Sequence, residues 1–181
     1  LPAGSVWLTA KPDLAIDVHF EGELKEYWDS QQDILKSMIN QTSYAASTSE
    51  NKPVLTGELF DIENGTFRVV AIDGFRLAIR TETIECQDNY HFVVPKKALS
   101  EVSGLIKEDS GDKTCCIYTN NKHIIFEVNG FYVISRLLEG EFHNYKSSIP
   151  SDYKTEIILN KRDMLTCMER CSLLLNDKNR A

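Results

Sequence analysis

The chain has 181 residues, and its 42% hydrophobic and 26% charged side chains are ordinary for a globular protein with a buried core. Its 27 acidic residues outnumber its 20 Lys and Arg. The net charge of -7 argues against a surface coated in positive charge for gripping nucleic acid, so any basic surface must be local.

Three amphipathic helices are predicted from apolar residues that recur at helical spacing. The first spans residues 33–47 with Ser30 as its cap, and one predicted strand, "AIDVHF", lies before it. The second opens with Pro95, which suits a first-turn position. The third follows an Asn160 cap and covers residues 161–175. Its expected buried stripe consists of Met164, Leu165, Met168 and Cys171.

Two three-stranded antiparallel meanders are predicted between and after the first two helices. The first reads "PVLTGELFDIE", "TFRVVAI" and "FRLAIRTETI", broken at Asn64-Gly65 and Asp73-Gly74. Such pairs favour tight hairpin turns because both central residues take positive φ. The second reads "KTCCIYT", "KHIIFEV" and "FYVISRLL", broken at Asn120-Asn121 and Asn129-Gly130.

The turn positions indicate an internal repeat. Asn64 and Asp73 are nine residues apart, as are Asn120 and Asn129 (73 − 64 = 129 − 120). Short strands, "HFVVP" and "TEIILN", precede the second and third helices, so the unit is strand, helix, three strands. Two units side by side would form a sheet with both helices on one face, which is an α+β domain built by duplication over residues 32–150.

The flanking parts of the chain are expected to be incomplete. Residues 1–31 would be the remnant of a preceding domain or an irregular segment. Residues 151–181 would begin a third unit that the sequence does not finish. The sequence shows no run near the ~20 apolar residues of a membrane span and no signal-peptide pattern at its start.

Catalysis has little support in the pattern of residues. Asp73 and Arg76 with one histidine could form an acid-base set, but the histidines are scattered and none has the spacing of a triad or a metal site. The histidines considered are His19, His91, His123 and His143. The five cysteines form no CxxC pair, and we interpret them as reduced thiols of a cytosolic protein. No cofactor or metal is predicted.

Five fragments in order carry a family resemblance: "ENKPVLTGELFDIENG", "VVAIDGFRLAIR", "FVVPKKALSEV", "ISRLLEGEFHNY" and "ILNKRDMLTCMERCSLLLND". Together, over residues 32–177, they resemble the middle domain and the entry into the last domain of the bacterial DNA polymerase III beta subunit family, the sliding clamps. The resemblance implies the DNA-clamp fold. Family subunits have three similar domains, and two subunits close head to tail into a ring around duplex DNA, with helices lining the hole.

The resemblance also implies a function and partners. A family member is a non-catalytic replication processivity factor of the cytoplasm and nucleoid. It encircles double-stranded DNA without sequence preference and tethers the polymerase III catalytic subunit, the clamp loader and repair proteins through short linear peptides. The full-length subunit would form a homodimer and would not bind membranes. A chain of this extent carries roughly half of such a subunit and is not expected to close a ring unaided.

By the same resemblance, lysines would face the DNA. Sliding requires positive charge that attracts phosphates without base-specific hydrogen bonds. The implied DNA-facing residues are Lys52, Lys96 and Lys97, with Lys36, Lys107, Lys161 and Arg162 as weaker candidates. For any single lysine, a merely solvated side chain is the simpler interpretation.

A peptide-binding groove is the second implied site. Its members would be Leu55, Ile72, Gly74, Phe75, Arg76 and Leu77, with His143, Ser147 and Ser148 from the connection that follows. Leu55 and Leu77 would form an apolar floor, although ordinary sheet core explains them equally well. Arg76 would supply a planar donor beside an aromatic anchor. The family often has proline in place of His143 and an aliphatic residue in place of Ser148.

A non-DNA adaptor is the remaining alternative. Such a protein would be a duplicated clamp-like domain that binds peptides but never encircles DNA. The limited extent of the chain favours this interpretation for the chain alone, whereas the clamp interpretation applies to a full-length product.

Overall fold

The computed structural model describes residues 6–10, 25–49, 51–86, 88–107, 113–120 and 122–174, with side chains described from Ser30 onward. The predicted strand "AIDVHF" lies outside these residues. The chain divides into two compact units, Leu1–His143 and Asn144–Ala181.

The first unit consists of antiparallel strands and two helices. In chain order they are β1 Val6–Ala10, β2 Lys25–Gln31, α1 Gln32–Thr42, β3 Gly57–Glu63, β4 Thr66–Ile72, β5 Leu77–Thr83, β6 Tyr90–Pro95, α2 Lys96–Leu105, β7 Thr114–Thr119, β8 His123–Val128 and β9 Phe131–Arg136. Short 3-10 turns cover Ser43–Ala45 and Pro53–Thr56. The α+β class and the repeated unit of strand, helix and three strands are confirmed.

The strands form two sheets where the sequence suggested one. One sheet has the order β1-β9-β8-β7-β2 and the other has the order β5-β4-β3-β6. The first strand of each repeat pairs with the meander of the other repeat, β2 with β7 and β6 with β3. The reason is that β2 and β6 run into their helices without a loop, so each helix carries the chain from one sheet to the other.

Both predicted Asn-Gly hairpin turns are confirmed. Asn64 and Gly65 have φ of 51° and 73°, and Asn129 and Gly130 have φ of 51° and 82°. The turn at Asp73 differs, because only its glycine has positive φ and Ile72 pairs with Leu77 across a wider loop. The narrow turn therefore comes first in one repeat and second in the other, although the nine-residue spacing is the same.

One core joins both sheets and both helices. Its buried residues include Leu35 and Leu99 from the two helices. Phe60 lies at its centre, with ring centroids 5.1 Å from Phe67 and 6.3 Å from Phe126 of the other sheet. Edge-to-face aromatic pairs of this kind add to the free energy gained by burial.

The start of α1 differs from the prediction. The N-cap residue is Gln31, and no side chain caps the helix; the Ser30 hydroxyl instead donates to the Gln31 carbonyl oxygen at 3.4 Å. Because β2 leads directly into the helix, the Gln32 backbone N–H donates to the Lys113 carbonyl oxygen at 2.9 Å. The helix also ends earlier than predicted, at Thr42, and continues as a 3-10 turn.

The second unit contains a 3-10 turn at Tyr145–Ser148 and the helix α3 at Lys161–Ser172. The predicted cap is confirmed, since Asn160 Oδ1 accepts from the backbone N–H groups of Arg162 and Asp163. The strand predicted from "TEIILN" is not formed, and the predicted buried stripe is wrong. These side chains are exposed because the described residues of this unit include no strand against which they could pack: Met164, Leu165, Met168 and Cys171.

Candidate functional site

The loop between β4 and β5 is built around the side chain of Asp73. Its Oδ1 accepts from the backbone N–H groups of Phe75 at 3.0 Å and Arg76 at 2.9 Å. The Asp73 backbone N–H donates to the Arg76 carbonyl oxygen at 3.2 Å, and Gly74 takes a φ of 90° that few other residues adopt. An aspartate at the start of such a turn satisfies backbone donors that a bare loop would leave to water.

The same aspartate orients Arg76. Asp73 Oδ2 accepts from the Arg76 guanidinium through Nε at 2.9 Å and through Nη2. The hydrogen bonds from the Arg76 side chain, followed by those from the backbone N–H groups of Phe75 and Arg76, lower the pKa of Asp73 to about 2. The carboxylate therefore stays charged at ordinary pH values and remains a hydrogen-bond partner for the guanidinium.

Two exposed aromatic side chains belong to this region: Phe75, next to Arg76 in the chain, and Tyr44, whose ring lies near the guanidinium. Phe75 is 98% exposed, an unusual state for a large apolar side chain. Tyr44, from the 3-10 turn after α1, is 57% exposed, and its ring centroid lies 6.0 Å from Arg76 Cζ. That distance is at the limit of a cation–π contact. The loop thus presents an exposed phenylalanine and a fixed arginine to solvent.

The predicted floor residues lie at the same end of the four-stranded sheet. Ile72 closes β4 opposite Leu77, the first residue of β5. Leu55 lies two residues before β3 begins, and its carbonyl oxygen accepts from Ser47 N–H at 2.8 Å. Leu55 and Leu77 are half-buried, which is an intermediate state between sheet core and open surface. Their membership of a peptide groove stays a prediction.

The connector residues of the predicted groove are exposed. His143 ends the first compact unit, whereas Ser147 and Ser148 belong to the 3-10 turn of the second. The Ser147 hydroxyl donates to the Asn144 carbonyl oxygen at 2.7 Å within that turn. Their part in the site also stays a prediction.

The predicted DNA-facing lysines lie in two places. Lys52 is exposed before the Pro53–Thr56 turn, while Lys96 and Lys97 form the first residues of α2. Lys97 is exposed and Lys96 is half-buried. Lys36 is different, since its Nζ donates to the Ile106 carbonyl oxygen at 2.7 Å and so satisfies the end of α2. Of the remaining weaker candidates, Lys107 follows α2, and Lys161 and Arg162 begin α3; all are exposed.

The carboxyl group of Glu58 is buried beside the 3-10 turn that contains Tyr44 and is affected by the charge of Lys96 at the start of α2. Glu58 on β3 is 0% exposed; its Oε2 lies 2.6 Å from Thr42 Oγ1, and its Oε1 accepts from the Ser43 hydroxyl. Burial raises the pKa of Glu58, and the Ser43 and Thr42 hydroxyls and the charge of Lys96 lower it by less. Sequence reasoning missed both Glu58 and Tyr44. The available signal for Glu58 was one charged residue inside the apolar run "LTGELF".

The fold and these surfaces can be compared with known proteins. A family model described as the DNA polymerase III beta subunit, central domain, matches residues 30–144. The chain belongs to this family. The family consists of non-catalytic accessory proteins of the polymerase, so the acid-base set considered above is not a catalytic site.

Curated relatives carry the same match. The beta sliding clamp of Bacillus subtilis (strain 168) is 35% identical over 147 residues, which cover 80% of this chain and 38% of the clamp. That of Streptococcus pneumoniae serotype 4 is 35% identical over 143 residues, with 78% and 37% coverage. The chain therefore spans about two fifths of the length of the curated relatives that it matches.

Solved structures agree with the fold. A putative DNA polymerase III beta subunit from Eubacterium rectale has a TM-score of 0.81 at 38% identity, covering 89% of this chain and 45% of that one. The sliding clamp from Bacillus subtilis has a TM-score of 0.80 at 32% identity, with 90% and 43% coverage. The chain thus has the clamp-domain fold, with antiparallel sheets and helices.

Two features are absent from the described residues. Within them, no helix is long and apolar enough to cross a membrane. Nor do the described histidine, cysteine and acidic side chains include a cluster of three or more that could hold a metal ion.

Proposed function

We propose that this chain is the central part of a replication processivity clamp that encircles duplex DNA and tethers partners through a peptide-binding groove. Residues 32–150 would form the central clamp domain, residues 1–31 the remnant of a preceding domain, and residues 151–181 the start of a third. The observation that carries the proposal is the β4–β5 loop, where Asp73 fixes Arg76 beside the exposed Phe75 in a domain of the clamp family.

The groove interpretation follows from what the loop exposes. A phenylalanine side chain that is exposed to water adds no hydrophobic stabilisation to the hairpin, whereas a docking peptide would bury that side chain. The half-buried Leu55 and Leu77, with the buried Ile72, would form the floor at the same sheet end. His143, Ser147 and Ser148 would complete the edge. The partners would be the polymerase III catalytic subunit, the clamp loader and repair proteins.

The DNA interpretation follows from where the lysines lie. Lys96 and Lys97 occupy the first turn of α2, where the helix dipole disfavours cations, so their presence there is not explained by helix stability. Together with Lys52 they would attract phosphates, while the acidic remainder of the chain would repel DNA elsewhere. The full-length protein would act as a homodimeric ring at the nucleoid, in the cytoplasm.

Ring closure is the property that tests this function. The complete gene product should be loaded onto nicked circular DNA by a clamp loader and challenged with high salt. We expect retention on the circle and release once the circle is cut, because a ring slides off free ends. Equal retention on linear DNA, or release from the intact circle at high salt, would reject a topological clamp.

A clamp-like adaptor that does not encircle DNA is the second candidate, since the β4–β5 loop with Arg76 and the exposed Phe75 would serve peptide binding with or without a ring. In that case the complete gene product would bind clamp-binding peptides with no retention on circular DNA. The same pair of measurements therefore separates the two functions.

A further inference from the structure

Glu58 is a buried ionisable group that the proposed function leaves unused. It is one of the few charged side chains in the core, and it lies where three elements meet. Thr42 ends α1, Ser43 begins the 3-10 turn, and Lys96 begins α2. A buried carboxyl group costs stability unless its hydrogen bonds are satisfied, so its two hydroxyl partners are essential to it.

The distances around Glu58 fit two arrangements of hydrogen bonds, one for each protonation state. Thr42 Oγ1 lies 2.6 Å from Glu58 Oε2 and 2.9 Å from the Met38 carbonyl oxygen, but a hydroxyl group has only one proton to donate. When Glu58 is protonated, it donates to Thr42, and Thr42 donates to Met38. When Glu58 is ionised, Thr42 and Ser43 both donate to the carboxylate, and the Met38 oxygen loses this partner.

The choice between the two arrangements reaches the candidate peptide site through Thr42, whose hydrogen bonds differ between them. Thr42 immediately precedes the 3-10 turn Ser43–Ala45, which contains Tyr44, while Ser43 donates to Glu58 Oε1 in both arrangements. The Tyr44 ring lies 6.0 Å from Arg76 Cζ. A change in the hydrogen bonds of Thr42 therefore acts on the turn that sets the Tyr44 ring against the guanidinium.

We propose that Glu58 is a positioning residue for Arg76: its protonation selects the hydrogen-bond acceptor of Thr42 and thereby the placement of Tyr44 beside the guanidinium. This inference rests on the proposed peptide-binding function. Under it, partner affinity varies with the protonation state of Glu58.

Among the charged side chains of the neighbouring elements, Lys96 is the one whose charge affects the pKa of Glu58. On the strands beside β3, Arg68 and His91 lie near Asp61, farther along β3. Lys36 of α1 donates to the end of α2. Val94, which pairs with Glu58 from β6, is uncharged. Burial raises the pKa of Glu58, so this carboxyl group titrates at a higher pH than an exposed glutamate.

The test compares the complete clamp protein with its Glu58→Gln variant, which keeps the size of the side chain but cannot ionise. Binding of a synthetic peptide carrying the clamp-binding segment of the polymerase III catalytic subunit is followed by fluorescence anisotropy from acidic to neutral pH. We expect the wild type to show a change in affinity of about two- to threefold that the variant lacks, a typical coupling between neighbouring groups, while any contribution of the groove member His143 is common to both proteins. Glu101→Gln makes the same chemical change at an exposed position of α2 and should behave as wild type.

A second variant and a second readout guard against a folding defect and against failure of the peptide site. Ser43→Ala should move the pH midpoint upward, because the Ser43 hydroxyl lowers the pKa of Glu58. In the free protein, the NMR signals of the Tyr44 ring and the Arg76 Nε–H should titrate together with the Glu58 carboxyl, and only in the wild type and Ser43→Ala.

The outcomes separate the two proposals. Peptide binding with the same pH dependence in wild type and Glu58→Gln would overturn the positioning role, as would Tyr44 and Arg76 signals that ignore Glu58. If no peptide binds but these signals follow Glu58, the positioning role stands and the proposed groove is wrong.

Discussion

Asp73 binds both the side chain and the backbone of Arg76: its Oδ2 lies 2.9 Å from Arg76 Nε, and its backbone N–H donates to the Arg76 carbonyl oxygen at 3.2 Å. One residue therefore shapes the loop and aims its exposed guanidinium. A charged, correctly directed group that is fixed before binding does not have to be ordered by the partner.

Replacing Asp73 by Asn should weaken peptide binding by several-fold. The amide keeps one acceptor for the backbone but loses the charge that pairs with Arg76. Isothermal titration with the complete protein measures the change. An Asp73→Asn variant that binds as tightly as wild type would show that Arg76 needs no fixed direction.

The titration of Asp73 itself should lie near the pKa of about 2. Because the folded pKa is below its ordinary value, the contribution of this carboxylate to stability is present above that ordinary value and is lost as pH falls through about 2. Carboxyl-carbon NMR shifts followed in acid measure it. Titration at the ordinary value of a free aspartate would contradict the contacts with Arg76.

Arg76→Ala and Leu77→Ala should each weaken the binding of clamp-binding peptides in a protein with both groove walls. Arg76→Ala removes a fixed donor, and Leu77→Ala removes apolar floor that would contribute roughly 1.5–3 kcal/mol when buried. Arg80→Ala is the matched control, since Arg80 is on the same strand and pairs with Glu82. Unchanged affinity in both test variants would withdraw the groove assignment.

Substitution of Lys97 should affect DNA binding, whereas substitution of Lys36 should affect the stability of the fold. Lys97→Ala should weaken DNA association of the complete clamp and reduce its salt slope by about 0.9 if one phosphate contact is lost. Lys36→Ala should instead lower the free energy of unfolding by about 1 kcal/mol, because it removes a hydrogen bond to the end of α2. Urea unfolding and filter binding at several salt concentrations measure the two effects. The reverse pattern would refute this division of roles.

Gly57→Ala should destabilise the fold, whereas Gly104→Ala should not. A Cβ at Gly57 would lie 2.5 Å from the Val94 carbonyl oxygen and 2.7 Å from Leu138 Cδ1, and such overpacking costs about 1–3 kcal/mol. A Cβ at Gly104 would meet nothing within 4 Å, and alanine there should stabilise α2 by about 0.5–1 kcal/mol. Thermal unfolding of both variants gives the comparison, and equal effects would mean that β3 and β6 separate easily at this point.

Glu58→Gln should change the pH dependence of stability as well as that of binding. The folded pKa of Glu58 is raised, so its contribution is fully present below the unfolded pKa and is lost as pH rises through the folded value. Relative to the variant, the wild type should therefore lose unfolding free energy on going from acidic to neutral pH. Parallel urea curves at every pH would exclude a raised pKa.

The periodic elements were predictable because local chemistry determines them. Alternating apolar strands and Asn-Gly pairs require little beyond the chain itself, which is why the turns at Asn64 and Asn129 have the predicted conformation. The Asn160 cap was predictable for the same reason, since its partners are the backbone N–H groups of Arg162 and Asp163, two and three residues later in the chain. The resemblance of five ordered fragments located the family.

Features that depend on distant partners were not predictable in this way. The exchange of β2 and β6 between the sheets depends on pairing across the whole domain. The exposed stripe of α3, beginning at Met164, has the pattern of a buried face, but burial requires a second surface that a helical pattern cannot supply. The contacts of Glu58 and Tyr44 depend on the packing of α1 and the turn after it against β3 and the β4–β5 loop, which the sequence pattern does not predict.

The exchanged strands determine how this domain can fold. Each hairpin joins neighbours in the chain and can form early, but β2 must find β7, and the Gln32 side chain bonds the Thr114 carbonyl oxygen 82 positions away. Closing so long a loop is slow and brings no reward until the last contacts form. Neither repeat has a complete sheet of its own, so the two halves must acquire their structure together, in one cooperative transition.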